Sequence, residues 1–280
     1  MSKNGTLYGV SLGPGDPGLI TRRAWALLER PDAIWTYPVR NLHKDSYALD
    51  IAQRAGLPLP AQHLPLLFPM THDAEKLARH WLKAAETVRD LLATGQDVLF
   101  LVEGDASTYA SFSYLARVLR ELDAGAQVQI VAGVSSFNAV CATVQVPLSE
   151  QDDTIAIVPA AYGIHAVEKM LDDFDTLVLM KVKPLLDDLI AQDCVLENST
   201  PAPNGSRHVG RDACLAVWQG IIASPGTRFD LEDVVVSGDR ATILWRFRWG
   251  DDDASSVRGV NLMQVRDGRI VAGMGYVKGA

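Results

Sequence analysis

The sequence has few of the residues that mark a metal centre, a disulfide framework or a nucleophilic triad. Its 280 residues include three cysteines, Cys141, Cys194 and Cys214, which are far apart and form no CxxC pair. The six histidines are dispersed, without HxxxH or HExxH spacing. These absences exclude the common zinc motifs and a disulfide-stapled secreted fold, and they predict reduced thiols in a cytoplasm.

Positive charge and long apolar runs are also scarce. The formal net charge is −8, which argues against general binding to nucleic acid or to a membrane surface. No uninterrupted apolar run is long enough to span a bilayer, and no signal-peptide pattern precedes the first strand-like stretch. We therefore expect a cytoplasmic protein without nucleic-acid or membrane partners.

What the sequence does contain is a regular alternation of apolar strand-like runs and helical patterns, up to about Lys183. The runs over Thr6–Leu12, Ala33–Tyr37 and Val98–Val102 predict buried strands, and "VQIVAGVSS", "TIAIVPAA" and "TLVLMKV" predict three more. Such alternation is typical of an α/β fold with a mostly parallel sheet.

The texture changes near Cys194. We expect a loop at "ENSTPAPNGSRHVG", a helix at "RDACLAVWQGIIA", and then strand segments joined by tight turns at "SGD" and "RDG". This order predicts an antiparallel α+β segment, with the boundary between Val182 and Ala191. The predicted domains are 1–127, 128–189 and 190–280.

The loop "SLGPGDPGLI" after the first strand fits the G-x-G-x-x-G dinucleotide pattern, but its chemistry does not. Pro14 and Pro17 remove two backbone N–H donors, and Pro17 disfavours helical geometry at Asp16. The second strand ends in "TYP" without the carboxylate that would bind a ribose. The loop therefore predicts a ligand other than a diphosphate.

Two further loops follow predicted parallel strands, "VEGDASTYASF" and "AGVSSFNAV". Taken singly, each of the three loops is equally explained as a structural turn or a helix cap. Because the carboxyl ends of parallel strands meet at one sheet edge, together they predict a shared site. Backbone groups, hydroxyls and carboxylates suit a nucleoside-like ligand without phosphates.

These motifs resemble the tetrapyrrole (corrin/porphyrin) methylases. "GTLYGVSLGPGDPGLIT", "EGDAST", "AGVSSF", "FPMT" and "LVLMKV" are most similar to the precorrin-2 C(20)-methyltransferase branch, and the resemblance covers residues 5–189. It implies S-adenosylmethionine in a cleft between two α/β domains and methyl transfer to a meso carbon of a reduced tetrapyrrole.

The resemblance also implies roles for particular residues. Asp16 would be the catalytic candidate, and Arg22 and Arg40 would contact the carboxylates of the macrocycle. The cofactor contacts would come from three loops and two further strand ends: Pro14, Gly104, Asp105, Thr108, Tyr109, Ser135, Ser136, Ala160, Ala161 and Met180. Since a sulfonium methyl group is already activated, alignment and water exclusion would suffice.

The chain departs from the methylase pattern after "LVLMKVKPLLDDLI". Residues from about 191 to 278 instead resemble SnoaL-like or ketosteroid-isomerase-like proteins, the cone fold of nuclear transport factor. A natural fusion and a built chimera both remain open. The missing methylase strands would leave a sheet edge with unpaired backbone groups. We therefore expect this C-terminal segment, the tail, to cover that edge or to form a homodimer through its own sheet.

The tail could also carry the function. In isomerases of this fold a carboxylate base follows the strand that resembles "CVLEN", but here the position is Asn198. Five rings are candidates to line a cone pocket: Trp218, Trp245, Phe247, Trp249 and Tyr276. The alternative is therefore a fused or chimeric protein without methylase activity, whose tail binds a small apolar ligand or mediates assembly.

Overall fold

A computed structural model describes residues 4–43, 45–71, 73–159, 163–182, 188–201, 203–222, 227–250 and 252–278. The chain divides into two compact units, Met1–Leu148 and Ser149–Ala280. No helix in the described ranges has the length and apolarity needed to cross a bilayer. The domain boundaries expected after residues 127 and 189 stay predictions.

The first unit is built on a parallel sheet in the order β3-β2-β4-β1-β5. Its strands are β1 (Thr6–Ser11), β2 (Ile34–Val39), β3 (His63–Leu67), β4 (Val98–Val102) and β5 (Gln127–Val131). The helices are α1 (Arg22–Leu28), α2 (Tyr47–Arg54), α3 (Ala74–Leu92), α4 (Ser111–Leu122) and α5 (Ser136–Val144). The α/β prediction for this part is confirmed.

Strand β4 explains why the sheet forms. All five of its residues are buried, as a central parallel strand requires. Its side chains alternate, so that Phe100 joins a core with α3 and α4, whereas Leu99 and Leu101 join a core with α1 and α2. Two helical layers therefore enclose the sheet.

Side-chain caps set the starts of three helices. The hydroxyls of Thr21 and Ser46 and the carboxylate of Asp73 accept hydrogen bonds from backbone N–H groups at the starts of α1, α2 and α3. Helix α2 and strand β3 were not predicted, because their segments, Tyr47–Arg54 and His63–Leu67, are short.

The second unit begins with a strand–helix–strand segment. Strands β6 (Ile155–Pro159) and β7 (Thr176–Met180) are parallel and are joined through α6 (Ile164–Leu171). They form a two-stranded sheet by themselves, and all ten of their residues are only half-buried. Within the described ranges no further strand extends this sheet. The partial second methylase domain over residues 128–189 and its covering by the tail both stay predictions.

The rest of the second unit is a six-stranded sheet in the order β10-β11-β12-β13-β8-β9. Its elements are β8 (Ile190–Asn198), β9 (Ser206–Val209), α7 (Arg211–Ile222), β10 (Arg228–Ser237), β11 (Arg240–Arg248), β12 (Ser256–Arg266) and β13 (Arg269–Val277). Neighbouring strands are antiparallel except β13 and β8. The helix-then-meander prediction is confirmed, with hairpin turns at the two predicted sites.

Two expectations for the tail were wrong. The segment expected to be one long loop contains β9, which pairs with the end of β8 and is joined to it by an ion pair between Arg207 and Glu197. Tyr276 does not share a face with Trp245, because it pairs with Val260, whereas Trp245 pairs with Gly259. Strand β9 was missed because its segment is rich in polar and turn-forming residues. The face that Tyr276 occupies is determined by the register of β12 with its two neighbouring strands.

The two faces of this sheet differ in chemistry. One face carries the ring cluster Phe229, Trp245 and Phe247. The ring centroid of Phe229 lies 5.2 Å from that of Trp245 and 4.8 Å from that of Phe247. The opposite face carries cross-strand ion pairs, among them Arg248 with Asp230 at 2.7 Å and Arg258 with Glu232 at 2.9 Å. This alternation is what a one-sided antiparallel sheet requires.

The core of the first unit makes a stability prediction. Leu101→Ala should lower the free energy of unfolding by about 2–5 kcal/mol, because it leaves a cavity beside α1 and α2 in a strand that is buried on both faces. Leu82→Ala, on the exposed side of α3, should cost less than about 1 kcal/mol. Urea unfolding of both variants measures the difference, and equal costs would contradict this description of the core.

Candidate functional site

Three loops meet at the carboxyl edge of the first unit's sheet, as predicted. They follow β4, β1 and β5, which are neighbours in the strand order. The N–H of Gly13 donates to the carbonyl of Gly104 at 3.2 Å, and the N–H of Gly104 donates to the carbonyl of Gly13 at 2.7 Å. The first and second loops are therefore bound to each other by their backbones.

The carboxylate of Asp105 connects the second loop to the third. Its Oδ2 accepts a hydrogen bond from the N–H of Gly133 at 2.8 Å, and its Oδ1 accepts from the N–H of Ser107 at 2.8 Å. The hydroxyls of Ser107 and, at 3.5 Å, Thr108 also donate to Oδ1. A single side chain thus holds the loops that follow β4 and β5.

Charge at Asp105 is stabilised by these donors. Burial alone would raise the pKa of its carboxyl, but the hydrogen bonds from Ser107, Gly133 and Thr108 outweigh that effect and hold the pKa below the ordinary value of 3.8. Asp105 is therefore an anion at neutral pH. Because its oxygens are engaged by protein donors, it acts mainly as the support of the site.

The third loop packs against the strand of the first loop. A Cβ at Gly133 would lie 2.3 Å from the Cβ of Ser11 and 2.9 Å from the carbonyl oxygen of Gly104, so only glycine fits there. The fully buried hydroxyl of Ser11 accepts from the N–H of Ala106 at 2.8 Å. Ser11 was missed in the sequence, although a polar residue that ends an apolar strand was a usable signal.

Helix α2 supports the outer half of the first loop. Gly15 has a φ of +137°, and a Cβ there would lie 2.6 Å from the hydroxyl oxygen of Tyr47. The guanidinium of Arg54 donates from Nη2 to the carbonyl of Gly15 at 2.9 Å and from Nε to Asp50 at 2.8 Å. Sequence reasoning missed Tyr47 and Arg54 because it missed their helix.

The catalytic candidate Asp16 has a structural role in this loop. It is exposed, precedes a short 3₁₀ turn over Pro17–Leu19, and accepts from the N–H of Gly18 at 2.8 Å. This capping contact is within the loop itself. A catalytic role for Asp16 stays a prediction.

Glu103 and Arg40 are charged groups at the same sheet edge. Displacement of water by neighbouring atoms raises the pKa of Glu103, although part of its side chain is open to solvent. The positive charge of Arg40, which follows β2, acts against this rise. Arg40 follows β2 and Glu103 follows β4, its neighbour in the sheet, so β2 contributes to the edge that carries the loops.

The remaining predicted residues divide between the two units. Tyr109 is exposed, with a φ of +49°, Ser135 precedes α5 without a side-chain capping bond, and Ser136 begins that helix. Half-buried Pro14 lies in the first loop, and exposed Arg22 begins α1. Met180 ends β7 in the second unit, and Ala160 and Ala161 lie outside the described residues.

The donor set fits a cationic nucleoside better than a metal or a diphosphate. In the part of the chain that is described, no three His, Cys, Asp or Glu side chains cluster to hold a metal. Prolines at 14 and 17 leave the first loop without two N–H donors. Glu103 supplies a carboxylate, and the Ser135 hydroxyl is not used as a helix cap. S-adenosylmethionine carries a sulfonium and no phosphate, so these residues fit it.

A polar cleft of about 780 Å³ lies within the second unit, between α6, β8 and the β12–β13 turn. Most of the charges that line it are paired with each other. His165 lies 3.7 Å from Glu168, and Arg266 lies 2.7 Å from Asp193. No predicted site residue lines it, so it does not compete with the three loops as the candidate site.

The role of Asp105 can be tested by its effect on stability. Asp105→Ala should lower the free energy of unfolding by about 1–3 kcal/mol at neutral pH, because it leaves the N–H groups of Gly133 and Ser107 without their acceptor. Folding lowers the pKa of this carboxyl, so its contribution is complete above the unfolded-state pKa and is lost as the pH falls through the folded-state value.

The difference between wild type and Asp105→Ala should therefore shrink below about pH 4. Denaturant unfolding at several pH values measures it. Asp90→Ala, which removes an exposed carboxylate paired only with Arg89, is the matched control and should have little effect at any pH. A cost at Asp105 that does not change with pH would contradict the assignment.

Comparison with known proteins agrees with this geometry. The family model for tetrapyrrole (corrin/porphyrin) methylases matches residues 6–202, and the model for the SnoaL-like domain matches residues 171–273. The two matches overlap over residues 171–202, so β7 and β8 lie within both. The predicted domain boundary after residue 189 falls inside this overlap.

Individual relatives point the same way. A probable cobalt-precorrin-2 C(20)-methyltransferase of Methanocaldococcus jannaschii is 36% identical, over 65% of this chain and 75% of the relative. The cobalt-precorrin-2 C(20)-methyltransferase of Salmonella typhimurium is 31% identical, over 74% of this chain and 89% of the relative.

Among solved structures, an NTF2-like protein of unknown function from Mesorhizobium loti is 47% identical over 45% of this chain and 99% of that protein, with a TM-score of 0.31. Tetrapyrrole methylases as a family depend on S-adenosylmethionine. With a matching family model over residues 6–202 and the loops of that family joined at one sheet edge, the chain belongs to the tetrapyrrole (corrin/porphyrin) methylases and carries a SnoaL-like domain after the methylase fold.

Proposed function

We propose that this chain binds S-adenosylmethionine and methylates the C20 position of precorrin-2 or of its cobalt form, the reaction named for its relatives in Methanocaldococcus and Salmonella. The observation that carries the proposal is the joining of three loops at the edge β4-β1-β5, without a phosphate-binding cradle. The cytoplasmic location and the homodimer stay predictions.

The same sheet edge offers a surface that suits a flat macrocycle with carboxylate arms. Large apolar side chains there are exposed after three neighbouring strands: Leu42 after β2, Met70 after β3 and Tyr109 after β4. Exposed apolar side chains that form one contiguous patch are characteristic of binding surfaces. Arg40 and Arg22 lie exposed at the same edge, where guanidinium groups can pair with carboxylates.

The proposed methyl transfer requires little of the protein beyond the positioning of the cofactor and the tetrapyrrole. When bound, S-adenosylmethionine would supply an activated methyl group to the electron-rich ring carbon and would leave as S-adenosylhomocysteine. Gly104 and Gly13 present backbone close to the ligand, and Asp105 keeps the loops after β4 and β5 together. Glu103, whose pKa is raised and which follows β4 at the same sheet edge, would be the acceptor of the proton that leaves the methylated carbon.

A second function is favoured by one observation in the tail. The rings of Phe229, Trp245 and Phe247 share one sheet face and are incompletely covered, and the Trp245 indole N–H donates to Asn261 at 3.1 Å. Such a wall of rings with an amide beside it suits a small apolar ligand. Asn198 offers no carboxylate for catalysis, so this candidate is a binding function.

Ligand-dependent unfolding separates the two functions. S-adenosylhomocysteine, the demethylated product, should raise the melting temperature, because a ligand at about 100 times its Kd stabilises the folded state by about 2.7 kcal/mol. Incubation with S-adenosylmethionine and precorrin-2 should add one methyl group to the tetrapyrrole by mass spectrometry. If neither effect appears, while anilinonaphthalene sulfonate quenches the tryptophan fluorescence, the binding function replaces the methylase.

Ser135 provides a residue-level prediction. Ser135→Ala should weaken binding of S-adenosylhomocysteine about threefold to tenfold, the effect of one lost hydrogen bond, without lowering stability, because this hydroxyl makes no capping bond to α5. Ser237→Ala, at the β10–β11 turn, should leave the affinity unchanged. Calorimetric titration measures both, and equal affinities would contradict a cofactor contact at Ser135.

A further inference from the structure

Outside the predicted site residues, helix α2 contacts the first of the three loops. Its last residue, Arg54, uses two separate donors: Nη2 donates to the carbonyl of Gly15 at 2.9 Å and Nε donates to Asp50 at 2.8 Å. Asp50 lies one turn earlier on the same helix and so fixes the direction of the guanidinium. The guanidinium group of Arg54 is therefore directed toward a backbone carbonyl of the first loop.

That loop has little else to hold its outer half. Its inner end is bound through Gly13 to Gly104, but Pro14 and Pro17 can donate no backbone hydrogen bond. Among the described residues, the hydrogen bonds of the loop beyond Gly13 are the capping bond from Gly18 to Asp16, the turn bonds that Leu19 and Ile20 donate to Asp16 and Pro17, and the bond from Arg54 to Gly15. The helix is therefore the external support of this half.

The contact also demands an unusual backbone at Gly15. The φ of +137° is disfavoured for residues with a side chain, and the hydroxyl oxygen of Tyr47 occupies the space of a Cβ. Tyr47 and Arg54 thus contact Gly15 from the two ends of α2. Loop and helix fit each other as one unit.

We propose that Arg54 is a positioning residue for methyl transfer: through the Gly15 carbonyl, and oriented by Asp50, it holds the Gly15–Asp16 segment in the conformation that the tetrapyrrole requires. The inference rests on the proposed methylase function and adds to it a residue outside the three loops. The cofactor side of the site, at Gly104 and Asp105, is held by other bonds and does not depend on Arg54.

This division predicts a split between the two ligands. Arg54→Ala should lower kcat/KM for the tetrapyrrole about tenfold, the effect of losing one charge-assisted hydrogen bond, while the Kd for S-adenosylhomocysteine changes less than about twofold. Arg79→Ala is the control, since it removes another exposed arginine with an i,i+4 partner, Glu75, on α3. It should leave both quantities unchanged.

A second pair of variants separates positioning from simple charge attraction. Arg54→Lys keeps the charge but loses the fork that reaches Gly15 and Asp50 together, so it should recover only part of the lost activity. Asp50→Asn keeps Arg54 but weakens its orientation, and should lower kcat/KM about threefold. Full recovery in Arg54→Lys would show attraction of an anionic substrate by charge and would overturn the proposal.

Hydrogen–deuterium exchange gives a readout that needs no methyl transfer. In Arg54→Ala the peptide over residues 12–19 should exchange several-fold faster than in wild type or in Arg79→Ala, while the peptide that contains Asp105 should not change. If wild type transfers no methyl group but this exchange pattern appears, the proposed function fails and the loop support stands. Unchanged exchange in the loop peptide overturns the support itself.

Discussion

The candidate site depends on one carboxylate whose oxygens are occupied by backbone and hydroxyl donors from its own fold. Asp105 accepts from Gly133 in the loop after β5 and from Ser107 in its own loop. The side chain of Asp105 is buried. Breaking these hydrogen bonds is therefore more costly than it would be at the surface, where water would replace them. The order of the neighbouring strands brings the loops close, and this side chain holds two of them together.

The ligand chemistry follows from what the loops are made of. The first and second loops meet as two glycine backbones, and two prolines withdraw N–H donors that a phosphate would need. The loops therefore present carbonyls, hydroxyls and carboxylates at the carboxyl edge of the parallel sheet. Such a site favours a cation without phosphates. This chemistry explains why a glycine pattern typical of dinucleotide-binding proteins occurs here in a methylase.

Strands β6 and β7 of the second unit differ in burial from the central strand of the first unit. Strands β6 and β7 pair only with each other among the described residues, and every residue in them is half-buried, whereas each residue of β4 is fully buried. Parallel strands are stable when helices and neighbours cover them. The overlap of the two family matches over residues 171–202 falls on this part of the chain.

Sequence patterns alone were sufficient for the α/β first part, the α+β tail and the three loops, because hydrophobic period and turn residues are local properties. The same reasoning missed β9 and α2, whose segments are short, and it grouped Tyr276 with Trp245 as candidates to line one pocket although the two rings lie on opposite faces. Only the tertiary structure decided which strand ends are neighbours, that Asp105 bonds to Gly133 across 28 residues of chain, and that Arg54 supports Gly15. These contacts join residues distant in sequence, and no local pattern specifies which donor will reach which acceptor once the sheet has formed.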